Sequence, residues 1–146
     1  MNNPDRSVAA YLNFDGRCEE ALNFYKSALG IEVDMQMRFK DAPPSEPNEG
    51  CPPPDDPEKI MHSSFRIGKT IVMASDCQCS GKANFAGVSL ALSVPDEADA
   101  QKCFKALSEG GAVLMPLGRT FWSPAFGVVT DKFGVCWMIS TEPKAA

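Results

Sequence analysis

The chain has 146 residues, 44% of them apolar, with a formal net charge of −5 and a pI near 4.8. That length suits one domain, or two small fused modules sharing a core. The acidity argues against nucleic acid and anionic membrane surfaces as partners, because both need clustered Lys and Arg. No apolar run approaches the roughly twenty residues of a membrane span, and no charged segment precedes an apolar core at the start. The expected location is the cytoplasm.

Val8 to Phe14 reads as a first strand, with Leu12 and Phe14 on one face and Tyr11 and Asn13 on the other. Asp15-Gly16 breaks it, and Asp15 is the expected N-cap of a helix. Cys18, Ala21, Leu22, Tyr25, Ala28 and Leu29 then recur at three- and four-residue spacing and form one apolar stripe. Gly30 is the expected stop. Leu12 and Phe14 should face the helix, which leaves Tyr11 and Asn13 on the opposite face.

Glu32 to Phe39 reads as the next strand. Asp41 to Asp56 holds most of the chain's prolines and reads as a long exposed loop. Such a loop acts as a lid or a subunit-contact arm, or is simply a tolerated insertion. Lys59 to Ile67 and Thr70 to Ala74 read as two strands joined by a tight Gly68-Lys69 turn. Ser75 to Ala86 reads as a second loop.

The plan then repeats about eighty residues on. Val88, Leu90, Leu92 and Val94 alternate with Ser89, Ala91 and Ser93. Asp96 caps a helix whose stripe is Ala100, Cys103, Phe104 and Leu107, ended by Gly110-Gly111. Strands at Ala112–Leu117, Phe121–Thr130 and Val135–Thr141 complete the second copy. Each half is strand, helix and three strands, and the small polar face of the first strand is either solvated or lines a cavity.

Of the six cysteines, Cys18 and Cys103 hold matched places on the two helices and read as buried hydrophobes. Cys77-Gln-Cys79 lacks the second pair or the histidine that a zinc site requires. A disulfide framework is not expected in a cytoplasmic chain.

The runs Y-L-N-F-D-G and E-E-A-L-N-F-Y-K-S-A-L-G resemble the vicinal oxygen chelate superfamily, which includes the glyoxalases and bleomycin-resistance proteins. K-I-M-H-S-S-F-R-I-G, I-V-M-A-S-D, F-W-S-P-A-F-G and T-D-K-F-G-V-C-W-M-I narrow the resemblance to its PhnB-like subgroup, over about residues 8 to 141. Some members of that subgroup carry the label demethylubiquinone methyltransferase.

The resemblance implies an α+β fold in which two βαβββ modules, about 7–76 and 87–142, form curved mixed sheets round a cavity. It places a single glyoxalase-like domain at 5–142, with a short tail after it, and implies a homodimer. In metal-dependent members, ligands come from the first and last strands of each module. Carried over, those positions are Tyr11 or its neighbour Ala10, then Val72, Ser89 and Met138. Valine and methionine do not replace a carboxylate on a hard or borderline divalent ion, so a divalent-metal cofactor is disfavoured. Glyoxalase and dioxygenase chemistry, which use that metal, come into doubt with it.

His62 is the only histidine. It reads as a cavity-facing acid or base, or as a structural strand histidine. Ser64 shares its face. Tyr11, Asn13, Ser64, Ser89, Trp122, Cys136 and Met138 are the candidate ligand-binding residues. Trp122 and Trp137 are otherwise core residues. Asp76 and Asp131 read as turn formers, and Arg66 and Arg119 as surface arginines or anion contacts.

Methyl transfer from S-adenosylmethionine, in its common form, needs a glycine-rich loop between a first strand and helix, and Asp15-Gly16-Arg17 does not supply one. Three readings follow. The first is a metal-independent small-molecule binder. The second is a small-molecule enzyme (a lyase, isomerase or dioxygenase-like catalyst) with His62 as acid–base group or rebuilt metal site, and Tyr11 or Trp122 positioning substrate. The third is a partner-binding dimer that uses the proline loop.

Overall fold

The structure is a computed structural model that describes residues 2–41, 56–76 and 83–142. The proline-rich loop from 42 to 55, the Cys77-Gln-Cys79 pair and the tail from 143 lie outside the described residues. Contacts divide the chain into two compact units, one reaching to Ala83 and one beginning at Asn84. Both are α+β and share one topology.

In the first unit, β1 (Tyr11–Asn13) leads into α1 (Cys18–Leu29), followed by β2 (Glu32–Arg38), β3 (Ile60–Ile67) and β4 (Thr70–Ser75). The sheet order is β1-β4-β3-β2, with β1 parallel to β4 and the other neighbours antiparallel. The stripe of α1 packs as its spacing requires. Cys18, Ala21, Leu22 and Tyr25 are no more than 1% exposed, and the Tyr25 ring lies 6.3 Å from the rings of Phe14 and Phe65. Burying a side chain of Leu22's size contributes about 2 kcal/mol. Gly30 ends the helix in the left-handed conformation, at φ 66°.

The start of α1 differs from expectation. Asp15 sits at φ 51° and does not cap, and the N-cap position is Arg17, which makes no side-chain cap. The acceptor comes from far along the chain. Asp76, at the end of β4, takes the N–H groups of Gly16 and Cys18 on one oxygen, both at 2.8 Å. Its other oxygen takes the N–H of Ile60 at 2.9 Å. One buried carboxylate thus satisfies the helix start and the first residue of β3. β1 is also shorter than expected, since Val8 is fully exposed.

In the second unit, β5 (Ser89–Val94) leads into α2 (Glu97–Ser108), then β6 (Ala112–Gly118), β7 (Phe126–Thr130) and β8 (Cys136–Thr141). The order is β5-β8-β7-β6, with β5 parallel to β8. Here the cap is local, as expected, because the Asp96 side chain accepts the N–H of Asp99 at 2.8 Å. Ala100, Cys103 and Leu107 are buried beneath α2.

Asp131 makes more than a turn. It accepts the N–H groups of Phe133 and Val135 and the indole N–H of buried Trp137, the last at 2.9 Å. β7 begins at Phe126 rather than Phe121, because Thr120 and Ser123 close a turn on each other and Pro124 has no N–H to give a ladder. No helix is long and apolar enough to cross a membrane among the described residues.

Candidate functional site

In the first unit, α1 covers one face of the sheet, and the opposite face carries the polar candidates. Leu12, Val72, Ala74 and Phe65 lie on the covered face and are no more than 6% exposed. Opposed strand residues point to the same side, so Tyr11, Met73, Ser64 and Met35 form one row across the open face. Met37 and His62 are paired on that face as well.

His62 stands there two residues from Ser64, and a register shift just before it changes the side that Ile60 faces. Arg38 pairs with Ile60 and Met37 pairs with His62, so Met61 is an extra residue in β3. Such a bulge re-aims the side chains beside it. Ile60 is therefore buried at 1% exposure while His62 is only partly covered.

The result is a polar pair. Tyr11 Oη lies 2.9 Å from His62 Nδ1, and the two rings stack at 5.6 Å with 27° between their planes. Tyr11 is 42% exposed and Met35 is 40% exposed, so the pair stands among methionines on an accessible surface. At one side, Ser75 Oγ donates to Asn13 Oδ1 at 3.1 Å. Tyr11, Asn13, His62 and Ser64 thus share the open face of one sheet.

In the second unit, Ser89, Cys136 and Met138 share the face opposite α2. Cys136 pairs with Ser89 and Thr130, and Met138 pairs with Ala91 and Val128. Trp122 lies in the loop before β7, 45% exposed and edge-on to Phe126 at 5.3 Å.

One position inferred from the resemblance is corrected. Val72 does not face the open side; it pairs with Phe65 and is 4% exposed. The open-face residue of β4 is Met73, one position on, because a strand's side chains alternate with period two. The positions that superfamily metal sites use therefore present a phenol at Tyr11, thioethers at Met73 and Met138 and a hydroxyl at Ser89. This set does not fit a divalent ion that wants carboxylate or imidazole ligands. Among the described residues, no group of three or more His, Cys, Asp or Glu lies close enough to hold a metal.

A cleft of about 650 Å³ opens elsewhere in the first unit, lined by Glu19, Glu20, Arg38, Glu58 and Lys59 among others. Neither Tyr11 nor His62 lines it, and its charges answer one another. Arg38 binds Glu19 at 2.5 Å and holds that carboxyl below the usual range, and Lys59 donates to the carbonyl of Gly16 at 2.9 Å.

The helix cysteines are inert. Burial, reinforced by the nearby Asp76 charge, pushes the Cys18 thiol from its ordinary 9.0 up to about 12. Ser63 Oγ spends its proton on the carbonyl of Ala74 at 2.7 Å, so the Cys18 thiol donates to Ser63 at 3.8 Å. Burial raises Cys103 too. Iodoacetamide on the native protein should therefore leave Cys18 unmodified by peptide mass mapping while partly exposed Cys136 reacts, and carbamidomethylation of Cys18 at the rate of Cys136 would contradict this. The sign for stability follows. The raised folded value keeps Cys18 protonated where the unfolded thiol ionises, so its contribution is intact below about pH 9 and is lost as pH rises towards about 12.

With the geometry in place, comparison with known proteins is informative. The family model described as 3-demethylubiquinone-9 3-methyltransferase matches residues 6–140. Protein YjdN of Escherichia coli strain K12 is 37% identical over 139 residues, covering 91% of this chain and 93% of YjdN. Protein PA1353 of Pseudomonas aeruginosa superposes with TM-score 0.81 at 38% identity, over 94% of this chain and 98% of that one. A Bacillus cereus PhnB protein, titled a putative 3-demethylubiquinone-9 3-methyltransferase, gives TM-score 0.74 at 27% identity over 93% and 99%. At 11% identity and TM-score 0.61, over 98% and 100%, a Frankia domain titled glyoxylase/bleomycin resistance protein/dioxygenase shares the fold alone. The chain belongs to this PhnB-like family and has the fold of the glyoxalase/bleomycin-resistance proteins.

Proposed function

We propose that the chain binds a small organic molecule on the open sheet face around Tyr11 and His62, without the divalent metal usual in the superfamily. The observation that carries this reading is the stacked, hydrogen-bonded Tyr11–His62 pair, set among methionines on an accessible face. Thioethers and aromatic rings give an adaptable apolar surface, and the pair supplies orientation. The phenol–thioether–hydroxyl set at the metal positions supports the metal-free part. The family's methyltransferase description gains no support from the turn after β1, whose Gly16 and Cys18 N–H groups are already taken by Asp76.

The Met61 bulge and the Tyr11 hydrogen bond also favour a second reading, an enzyme in which His62 moves a proton. A homodimer fits β6, an edge strand with Val113, Leu114 and Met115 all more than 40% exposed. Pro116 in that strand blunts backbone pairing, so side chains would make the contact.

The test is a thermal-shift screen of small aromatic and carbonyl compounds, with and without a chelator, on the wild type and His62→Ala. A ligand at about a hundred times its Kd adds about 2.7 kcal/mol, which raises Tm by roughly 5–10 °C in a domain of this size. Hits should survive the chelator and lose most of their shift in His62→Ala. Hits that need an added divalent ion, or that ignore the substitution, would sink the reading.

A further inference from the structure

We infer that Tyr11 holds His62 as its Nε2–H tautomer, so that this face recognises an oxygen acceptor, a carboxylate or carbonyl, carried on an apolar aromatic body. The inference deepens the ligand-site reading above and rests on it. A phenol donates a hydrogen bond far better than it accepts one, and the bare nitrogen of a neutral imidazole is a strong acceptor. At 2.9 Å the Tyr11 hydroxyl therefore donates to His62 Nδ1. The ring proton is left on Nε2, which has no partner among the described residues.

Asn13 adds a second donor of the same kind. Its Oδ1 is occupied by the hydroxyl of Ser75 at 3.1 Å, and its amide N–H groups have no partner among the described residues. Asn13 pairs with Ser75, the β4 residue next to the point where the β3–β4 ladder ends beside His62. Two unspent donors thus stand on one face, on strands that flank β4. The acids in register on that sheet are spent elsewhere, since Glu32 and Asp34 are both ion-paired to Arg66, at 2.7 and 3.0 Å. A face with free donors and, among the described residues, no free acid selects an acceptor. The polarisable thioethers of Met35 and Met73 in the Tyr11 row suit an aromatic body.

The test needs no knowledge of the natural ligand. Because the chain has one histidine, ¹⁵N-histidine labelling of the full-length protein gives one imidazole pattern. In mildly alkaline buffer the wild type should show the Nε2–H pattern and Tyr11→Phe a mixture of tautomers. Two matched probes follow, 2-naphthoate and 2-naphthylmethylammonium. Naphthoate should move the His62 Nε2 and Asn13 side-chain amide resonances, and the ammonium should move neither. Tyr11→Phe should weaken naphthoate binding roughly fivefold, and Asn13→Ala about tenfold. An Nδ1–H pattern in the wild type, or a response to the ammonium alone, overturns the inference and leaves the ligand-site reading standing. The Nε2–H pattern with both resonances unmoved by either probe overturns the ligand-site reading, and the inference falls with it.

Discussion

Asp76→Ala is expected to destabilise the protein by about 4 kcal/mol, since it strips the acceptor from three buried or part-buried N–H groups at once. Each unmet donor costs about 1–3 kcal/mol, and water has poor access to a position 1% exposed. Asp76→Asn should cost less, about 2 kcal/mol, because one oxygen remains while the new amide N–H₂ meets a donor. Urea denaturation of the three proteins, read as midpoint shifts at constant slope, gives the order directly. The effect is large against the 5–15 kcal/mol of an ordinary domain, so the alanine variant should show a frayed α1 start in hydrogen exchange. An Asp76→Ala loss under about 1 kcal/mol would mean that the helix start finds its acceptors elsewhere.

Gly111→Ala is the second large effect, and its cause is steric. A Cβ there would lie 2.1 Å from the Thr130 carbonyl oxygen and 2.9 Å from the Asp131 carbonyl carbon. These are backbone atoms of β7 and its following turn, so no side-chain rotation gives relief, and β6 must part from β7 where Ala112 pairs with Thr130. The expected cost is about 3 kcal/mol, in the upper range for overpacking. Gly110→Ala is the control. Gly110 has φ 75° and meets only the flexible side chain of Lys132, so its cost should be near 1 kcal/mol. Equal midpoints for the two variants would show that the β6–β7 junction yields freely.

The fold was legible because both period signals are strong in this chain. Cys18, Leu22 and Tyr25 fall on one helical stripe, and Leu90, Leu92 and Val94 alternate cleanly, so the repeated strand–helix–three-strand plan could be read directly. Local chemistry was legible only when the partner was local. Asp96 caps α2 from one residue before it, whereas the acceptor for α1 comes from Asp76, 58 residues from Cys18. Asp15 carries the same cap signature, but its positive φ takes it out of that role.

The candidate site divides the same way. Alternation grouped Tyr11 with Asn13 and His62 with Ser64. That the two groups meet depends on the β1-β4-β3 register, which alternation within a strand does not announce. The exchange of Val72 for Met73 is a one-residue slip in a position carried over from the resemblance, and in a strand one residue is enough to change the face. Phe121 and Trp122 looked like strand because aromatic residues favour it, and a turn closed by Thr120 and Ser123 overrode that preference.

The most direct measurement of the central claim is an NMR titration of the single imidazole with the strongest compounds from the thermal-shift screen, after exhaustive dialysis against chelator. The account predicts saturable movement of the His62 resonances with the affinity seen by thermal shift, and its loss in Tyr11→Phe. Tight binding that leaves the His62 resonances unmoved, or that returns only when a divalent ion is restored, would contradict a metal-independent ligand site on this face.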